Sequence, residues 1–284
     1  MLDEVAHVTL AVADTTASGS LYGEGLGLVE VPGDTTPAGG QIRQFAVGPS
    51  ILALRGVPPA QVPRQELPGQ PPVVDHFALH VDDMQATYAT LKGRHVPHLG
   101  EPSATAIGHR NMQRALLALE DPEGLYVQFS ETIDPRPHVE RRKAAKRRMA
   151  AVTPGPFGGF DHISTYCRDF AAARDFFATQ LGLEEFFHST SREAGETVMA
   201  GFAQAAFAVG GTDIELATAP VDKALRLGVI QQLSFWTCDL DAVLQRLQDH
   251  AAPVDSDWVL SGGVRRRCLT VHSPDGLEIG IVEH

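Results

Sequence analysis

Three histidines of this chain stand in one recurring frame. His7 is followed seven residues later by Asp14, His76 by Asp83 and His162 by Asp169; Gln232 and Asp239 repeat the spacing with an amide in place of the imidazole. Imidazole is the side chain that changes charge near neutral pH and the commonest metal ligand. A lone histidine on an apolar strand is more often a hydrogen-bonded core residue than a ligand. Three in equivalent places, joined by Glu215 inside the apolar run Thr212-Asp213-Ile214-Glu215-Leu216, favour a metal site instead, because a glutamate is rarely buried without a partner.

The elements around these residues repeat too. Module one opens with the apolar run Val5–Val12, continues as a helix over Thr15–Leu26, and closes with strands at 29–31, 41–47 and 50–54 between Gly/Pro turns. Module two opens at Val73–Val81, with a helix over Met84–Lys92, strands near Val96–Leu99 and Arg114–Leu119, a turn at Asp121-Pro122-Glu123-Gly124 and a closing strand over Leu125–Ser130. Module three has its helix at Phe170–Leu181 and its closing strand at Thr212–Leu216. Module four has its helix at Leu240–His250 and the turn Ser273-Pro274-Asp275-Gly276. Four copies of one unit make an internal repeat. The boundaries read as an N-terminal half at 1–130 (modules 1–57 and 73–130), a basic linker at 131–157 and a C-terminal half at 158–284 (modules 158–218 and 228–284). Arg136, Arg141, Arg142, Lys143, Lys146, Arg147 and Arg148 give the linker its charge, and a solvated helix is its simplest reading.

The bulk composition narrows the class. With 284 residues and 43% hydrophobic content, the chain can bury an ordinary core. No apolar run reaches the length of a membrane span, and the acidic start Met1-Leu2-Asp3-Glu4 lacks a signal-peptide pattern. Three cysteines without metal spacing suit a reducing cytoplasm. A formal charge of -12 argues against nucleic acid as a partner.

Taken together, these modules resemble the vicinal oxygen chelate superfamily of glyoxalase I, extradiol ring-cleavage dioxygenases and bleomycin- and fosfomycin-resistance proteins. The resemblance implies an α+β fold of four βαβββ modules paired into two cupped half-barrels, each cup able to hold a divalent metal. It implies ligands from the first and last strand of a module. The first-strand positions are His7, His76, His162 and Gln232, and the last-strand positions are Ala53, Gln128, Glu215 and Gly280. Modules two and three thus offer His76, Gln128, His162 and Glu215, while modules one and four offer His7 and Gln232 with Ala53 and Gly280. Pairing two with three and one with four gathers every plausible ligand into one cup and is the preferred arrangement.

Two imidazoles and a carboxylate leave open positions for a bidentate oxygen substrate, or for substrate and O₂ with Fe(II). Gln128 as a fourth, neutral ligand makes the set more like that of glyoxalase I, where a metal polarises an enediolate. Fe(II) is favoured, with Mn, Zn and Ni compatible with the same ligands. Ile107-Gly108-His109, Leu117 and Asp121-Pro122-Glu123-Gly124 follow the spacing of the extradiol dioxygenase signature, which implies an acid/base role for His109 beside substrate. The signature's tyrosine is Ala118 here and its glutamate is Gln128. His80 lies four residues past His76 on the same strand face and reads equally as a pocket residue or a structural one. For His7 the structural reading is preferred, and Tyr126 reads as a packed aromatic.

The implied function is metal-dependent chemistry on a small oxygen-rich molecule, extradiol-type dioxygenation first and glyoxalase-type isomerisation or lyase chemistry second. The third reading is a metal-free protein that sequesters an antibiotic or metabolite. Relatives often dimerise, so a homodimer is compatible with the resemblance.

Overall fold

A computed structural model describes residues 2–33, 42–62, 76–105, 113–133, 144, 155–189, 203–218, 230–261 and 263–284. Four βαβββ modules follow one another. The first is β1 (Leu2–Val12), α1 (Thr15–Ser20), β2 (Val29–Val31), β3 (Ile42–Val47) and β4 (Ser50–Gly56). The second is β5 (His76–His80), α2 (Met84–Gly93), β6 (Ser103–Thr105), β7 (Arg114–Glu120) and β8 (Tyr126–Thr132). The third is β9 (Phe160–Tyr166), α3 (Phe170–Asp175), β10 (Glu184–Ser189), β11 (Gln204–Val209) and β12 (Thr212–Ala217). The fourth is β13 (Ile230–Thr237), α4 (Leu240–Asp249), β14 (Asp255–Ser261), β15 (Val264–His272) and β16 (Glu278–Glu283). Helices α1 and α3 each run on into a single π-helical turn, at Leu21–Gly25 and Phe176–Gln180.

The aspartates at the seven-residue offset explain why the frame recurs. Asp14, Asp83, Asp169 and Asp239 are the N-caps of α1, α2, α3 and α4, each carboxylate accepting from backbone N–H in the first turn. Such a cap contributes about 1 kcal/mol by satisfying donors that the helix itself leaves open. Each cap fixes where the chain leaves its first strand. That in turn fixes the distance from the strand's functional position to the helix.

Two eight-stranded sheets result, ordered β14-β15-β16-β13-β1-β4-β3-β2 and β10-β11-β12-β9-β5-β8-β7-β6. Within every module the first strand pairs in parallel with the last. Between modules, β1 joins β13 and β5 joins β9, both antiparallel. Module one therefore shares a sheet with module four, and module two with module three. Strand alternation sends Phe77, Leu79, Val127, Phe129, Ile163 and Ile214 to one face, where they join a continuous buried core that also holds Val8, Leu52, Phe235 and Ile281 of the other sheet. The Tyr22 hydroxyl donates to Asp121 Oδ2 at 2.9 Å and its ring lies 6.3 Å from Phe77, tying module one to module two. Burial pushes the Asp121 carboxyl up to about 6 despite three hydrogen bonds that favour its charged form.

The turns at 121–124 and 273–276 close in the same way, Gly124 N–H donating to Asp121 O and Gly276 N–H to Ser273 O, both at 2.9 Å. Their φ values of +82° and +86° are ones that side chains rarely adopt, which is why glycine ends each turn. One expected strand is absent. Residues 96–99 form no ladder; the second strand of module two, β6, begins at Ser103 instead. Pro97 supplies no N–H there, and Leu99 makes one isolated bond to Ala118 O. Of the linker at 131–157, only residues 131–133, 144 and 155–157 are among the described residues, and its arginines and lysines lie outside them.

Candidate metal centre

Small residues between large ones let the ligand candidates meet. Two cross-strand rows line the concave face of the sheet built from modules two and three. One row runs Tyr126, His76, Ser164, Glu215, and the next runs Gln128, Ala78, His162, Asp213. Ser164 and Ala78 sit where a larger side chain would fill the gap. The Nε2 atoms of His76 and His162 face each other at 3.0 Å, both rings buried and nearly perpendicular. A carboxylate oxygen of Glu215 completes a group whose ligand atoms all lie within 4.8 Å of one another. No other such cluster occurs among the described residues.

Behind His162 lies a charged network. Its Nδ1 is 3.1 Å from Asp161 Oδ2 and 3.1 Å from Arg114 NH1. The Arg114 guanidinium, 3% exposed, pairs with Asp161 at 3.2 Å and Asp213 at 3.6 Å. Formally, Asp161, Asp213 and Glu215 carry three negative charges against one guanidinium. A divalent cation balances the remainder, so the donor set and its charge fit such an ion.

Gln128 is buried on the same face, and its amide hydrogen-bonds the Tyr126 hydroxyl. Burial nonetheless pushes the Tyr126 phenol up. The Tyr126 ring meets His76 edge-on at 5.8 Å. His80 is placed apart from this cluster. Four residues along a strand span about 13 Å. Its Nε2 lies 3.4 Å from Asp82 Oδ1, and it lines a cavity of about 250 Å³ with Leu26, Phe157 and residues of α2. His109 lies outside the described residues.

A family model described as the Glyoxalase/Bleomycin resistance protein/Dioxygenase superfamily matches residues 4–129 and 159–281. The chain belongs to this superfamily. Among solved structures, a V278E mutant of glyoxalase I from Zea mays superposes with a TM-score of 0.66 at 15% identity, covering 99% of this chain and 92% of its own. A "putative dioxygenase" from Bacillus subtilis gives 0.65 at 16%, covering 99% and 85%. At these identities the likeness carries the fold. No curated protein sequence matches significantly.

The other sheet of this superfamily member repeats the two rows with different chemistry. They run Ile51, His7, Ser234, Gly280 and Ala53, Thr9, Gln232, Glu278. Here Thr9 Oγ1 donates to Gln232 Oε1 at 3.1 Å, and Gln232 Nε2 donates to Glu278 Oε1 at 2.6 Å. A Cβ on Gly280 would stand 2.4 Å from Ser234 Oγ, so a side chain there requires Ser234 to shift. His7 packs against Trp236, and burial with the nearby Arg266 charge lowers its imidazole to about 4.

The frame of seven thus located His76, His162 and, with the closing strand, Glu215. It missed Asp161, Arg114 and Asp213. A signal was present: Asp161 immediately precedes His162, and Arg114 is a lone cation at the head of the apolar run Ala115-Leu116-Leu117-Ala118-Leu119.

Proposed function

We propose that this chain is a metal-dependent enzyme acting on a small, oxygen-rich organic molecule at the cup of modules two and three. His76, His162 and Glu215 hold the ion, with Gln128 a fourth oxygen donor. The observation that carries the reading is the convergence of two buried imidazole Nε2 atoms and a carboxylate within 4.8 Å. Neutral imidazoles with one carboxylate leave a divalent ion net positive, which favours substrates that present adjacent oxygens, at least one anionic. When bound, the ion supplies Lewis acidity and, if it is Fe(II), a place for O₂.

The residues of the chain do the rest. Asp161 holds and orients His162 through Nδ1. Tyr126 and Gln128 present a hydroxyl and an amide to one side of the cup. The acid/base role beside substrate is assigned to His109, and His80 is assigned to a pocket at the far end of the strand. Extradiol-type cleavage of a catechol-like ring is the leading reaction, with Fe(II) as the ion. Gln128 on the ligand face favours a second reading, isomerase or lyase chemistry of the glyoxalase type with Zn, Ni or Mn.

Elemental analysis of protein purified without oxygen, beside His162→Ala, tests this. Near-stoichiometric iron that disappears in the variant supports ring cleavage, which oxygen uptake with a panel of catechols then checks. Zinc or nickel lost in the same way moves the assignment to the second reading. No metal in either protein after reconstitution overturns both and leaves a metal-free binding protein.

A further inference from the structure

The cavity of about 250 Å³ at the end of β5 lies between one side of α2, Leu26 of module one and residues 156–158. Its walls are held by contacts of their own. Phe157 packs on Phe129 with ring centroids 5.7 Å apart, and the His80 N–H donates to Gly159 O at 2.9 Å, which pins the strand end beside residues 156–158. Helix α2 contributes Asp83, Thr87, Leu91 and Arg94, positions that fall on one side of a helix, so the cavity follows α2 from N-cap to C-cap.

The polar groups along it mostly accept. The Thr87 and Thr90 hydroxyls donate to Asp83 O and Ala86 O, both at 2.8 Å, which leaves them lone pairs to offer. Asp82 and Asp83 put two carboxylates at the end where His80 stands, its Nε2 3.4 Å from Asp82 Oδ1. The first turn of α2 does not invite an anion, because Met84 N–H donates to Glu131 at 2.8 Å and Ala86 N–H to Asp83 at 2.9 Å. Among the described lining residues the one fixed cation is Arg94, whose Nη1 donates to Gly25 O at 3.2 Å. Asp83 and Arg94 stand eleven residues apart. That is about 16 Å along the axis, so the guanidinium offsets little of the charge at the acidic end.

We infer that this cavity is a second small-molecule site, and that it takes a primary ammonium ion carried on an apolar, ring-sized body. An ammonium group only donates, which suits the carboxylates of Asp82 and Asp83 and the lone pairs of Thr87. The body lies against Leu26, Val81, Leu91 and Phe157. A cavity of about 150 Å³ holds one benzene molecule, so this one admits roughly ten non-hydrogen atoms. A carboxylate of the same size meets Asp82, Asp83 and Glu131 as like charges. The site does not use the metal centre and stands apart from that reading.

The test is an NMR titration of the full chain, labelled at its leucine and valine methyls, with phenethylamine, phenylacetate and 2-phenylethanol, probes of similar shape and different charge. The amine should saturate, show nuclear Overhauser contacts to the Leu26, Val81 and Leu91 methyls, and bind roughly tenfold or more tightly than the acid. Either control binding as tightly as the amine overturns the assigned class. Asp82→Asn should weaken the amine by roughly fivefold. Ala86→Phe and Thr90→Phe, each from an exposed position on α2, fill the cavity and should abolish binding. Amine binding that survives both of these, or an absence of any shift up to about 10 mM amine, overturns the site. His162→Ala should bind the amine as the parent does; loss there places the amine in the cup and overturns the inference, whatever the metal content proves to be.

Discussion

The two cups of this molecule are built on the same strand pairings and differ in what stands beside the ligand positions. In the cup of modules two and three, Ala78 lies next to His162 and Ser164 next to Glu215. In the other, Thr9 takes the place of Ala78 and hydrogen-bonds Gln232, which stands where His162 does. Glu278 takes the place of Asp213 and holds the other end of the same amide. Gly280 replaces Glu215, beside Ser234 as Glu215 is beside Ser164, so this position offers no ligand atom. One cup brings His76, His162 and Glu215 together, and the other ties Gln232 to its neighbours. The contrast lies one strand over: Thr9 and Glu278 engage the Gln232 amide at both ends, whereas Ala78 has no hydrogen-bonding side chain to offer His162.

The comparison can be broken most sharply at the ligands. His162→Ala should lose metal affinity by more than the roughly 10–100-fold that an outer hydrogen-bonding partner commands, while Gln232→Ala should leave metal content unchanged. Elemental analysis reads both. Equal metal loss in the two variants would erase the distinction between the cups.

The next effect is in stability. The His7 imidazole titrates at about 4 in the fold against 6.5 in an open chain. Between those values the unfolded chain binds a proton that the folded one does not, so stability is full above pH 6.5 and falls as pH drops toward 4. The loss is about 3 kcal/mol at 1.36 kcal/mol for each pH unit. Asp121, raised to about 6, works in the opposite sense, gaining stability as pH falls through that value. Denaturant unfolding of the parent and His7→Phe across this range isolates the histidine: the parent's extra acid sensitivity should vanish in the variant. Identical pH profiles would refute it.

Smaller effects follow. Gly280→Ala should destabilise by about 1–3 kcal/mol because its methyl meets Ser234, and Ser234→Gly in the same chain should recover most of it. Asp239→Ala should cost about 1 kcal/mol through the lost cap of α4. Thermal melts measure both.

Much of this was legible because the repeat is carried by residues with local jobs. The capping aspartates and turn glycines act within four residues of themselves, so their spacing survives in the sequence as a frame. His76, His162 and Glu215 were found by counting within that frame. The crossed pairing of modules followed only as a preference, from where the ligand types fall. Asp161, Arg114 and Asp213 were not found, because Arg114 comes from a third strand and reaches Asp161 and Asp213 across the sheet. No short-range spacing records that contact. The strand expected at 96–99 failed for a local reason that was visible, the proline inside it.

The pairing of β1 with β13 joins residues such as His7 and Ser234, more than two hundred positions apart in the chain. During synthesis the first module emerges long before its sheet partner exists. At about 5–20 residues per second, the wait from the end of module one to the end of β13 is on the order of ten seconds or more. The sheet of modules two and three can close meanwhile, so His76, His162 and Glu215 can be brought together while the ribosome is still making the last module. In that interval β1 offers an open edge to any other strand nearby. The molecule's own last quarter is what retires that hazard.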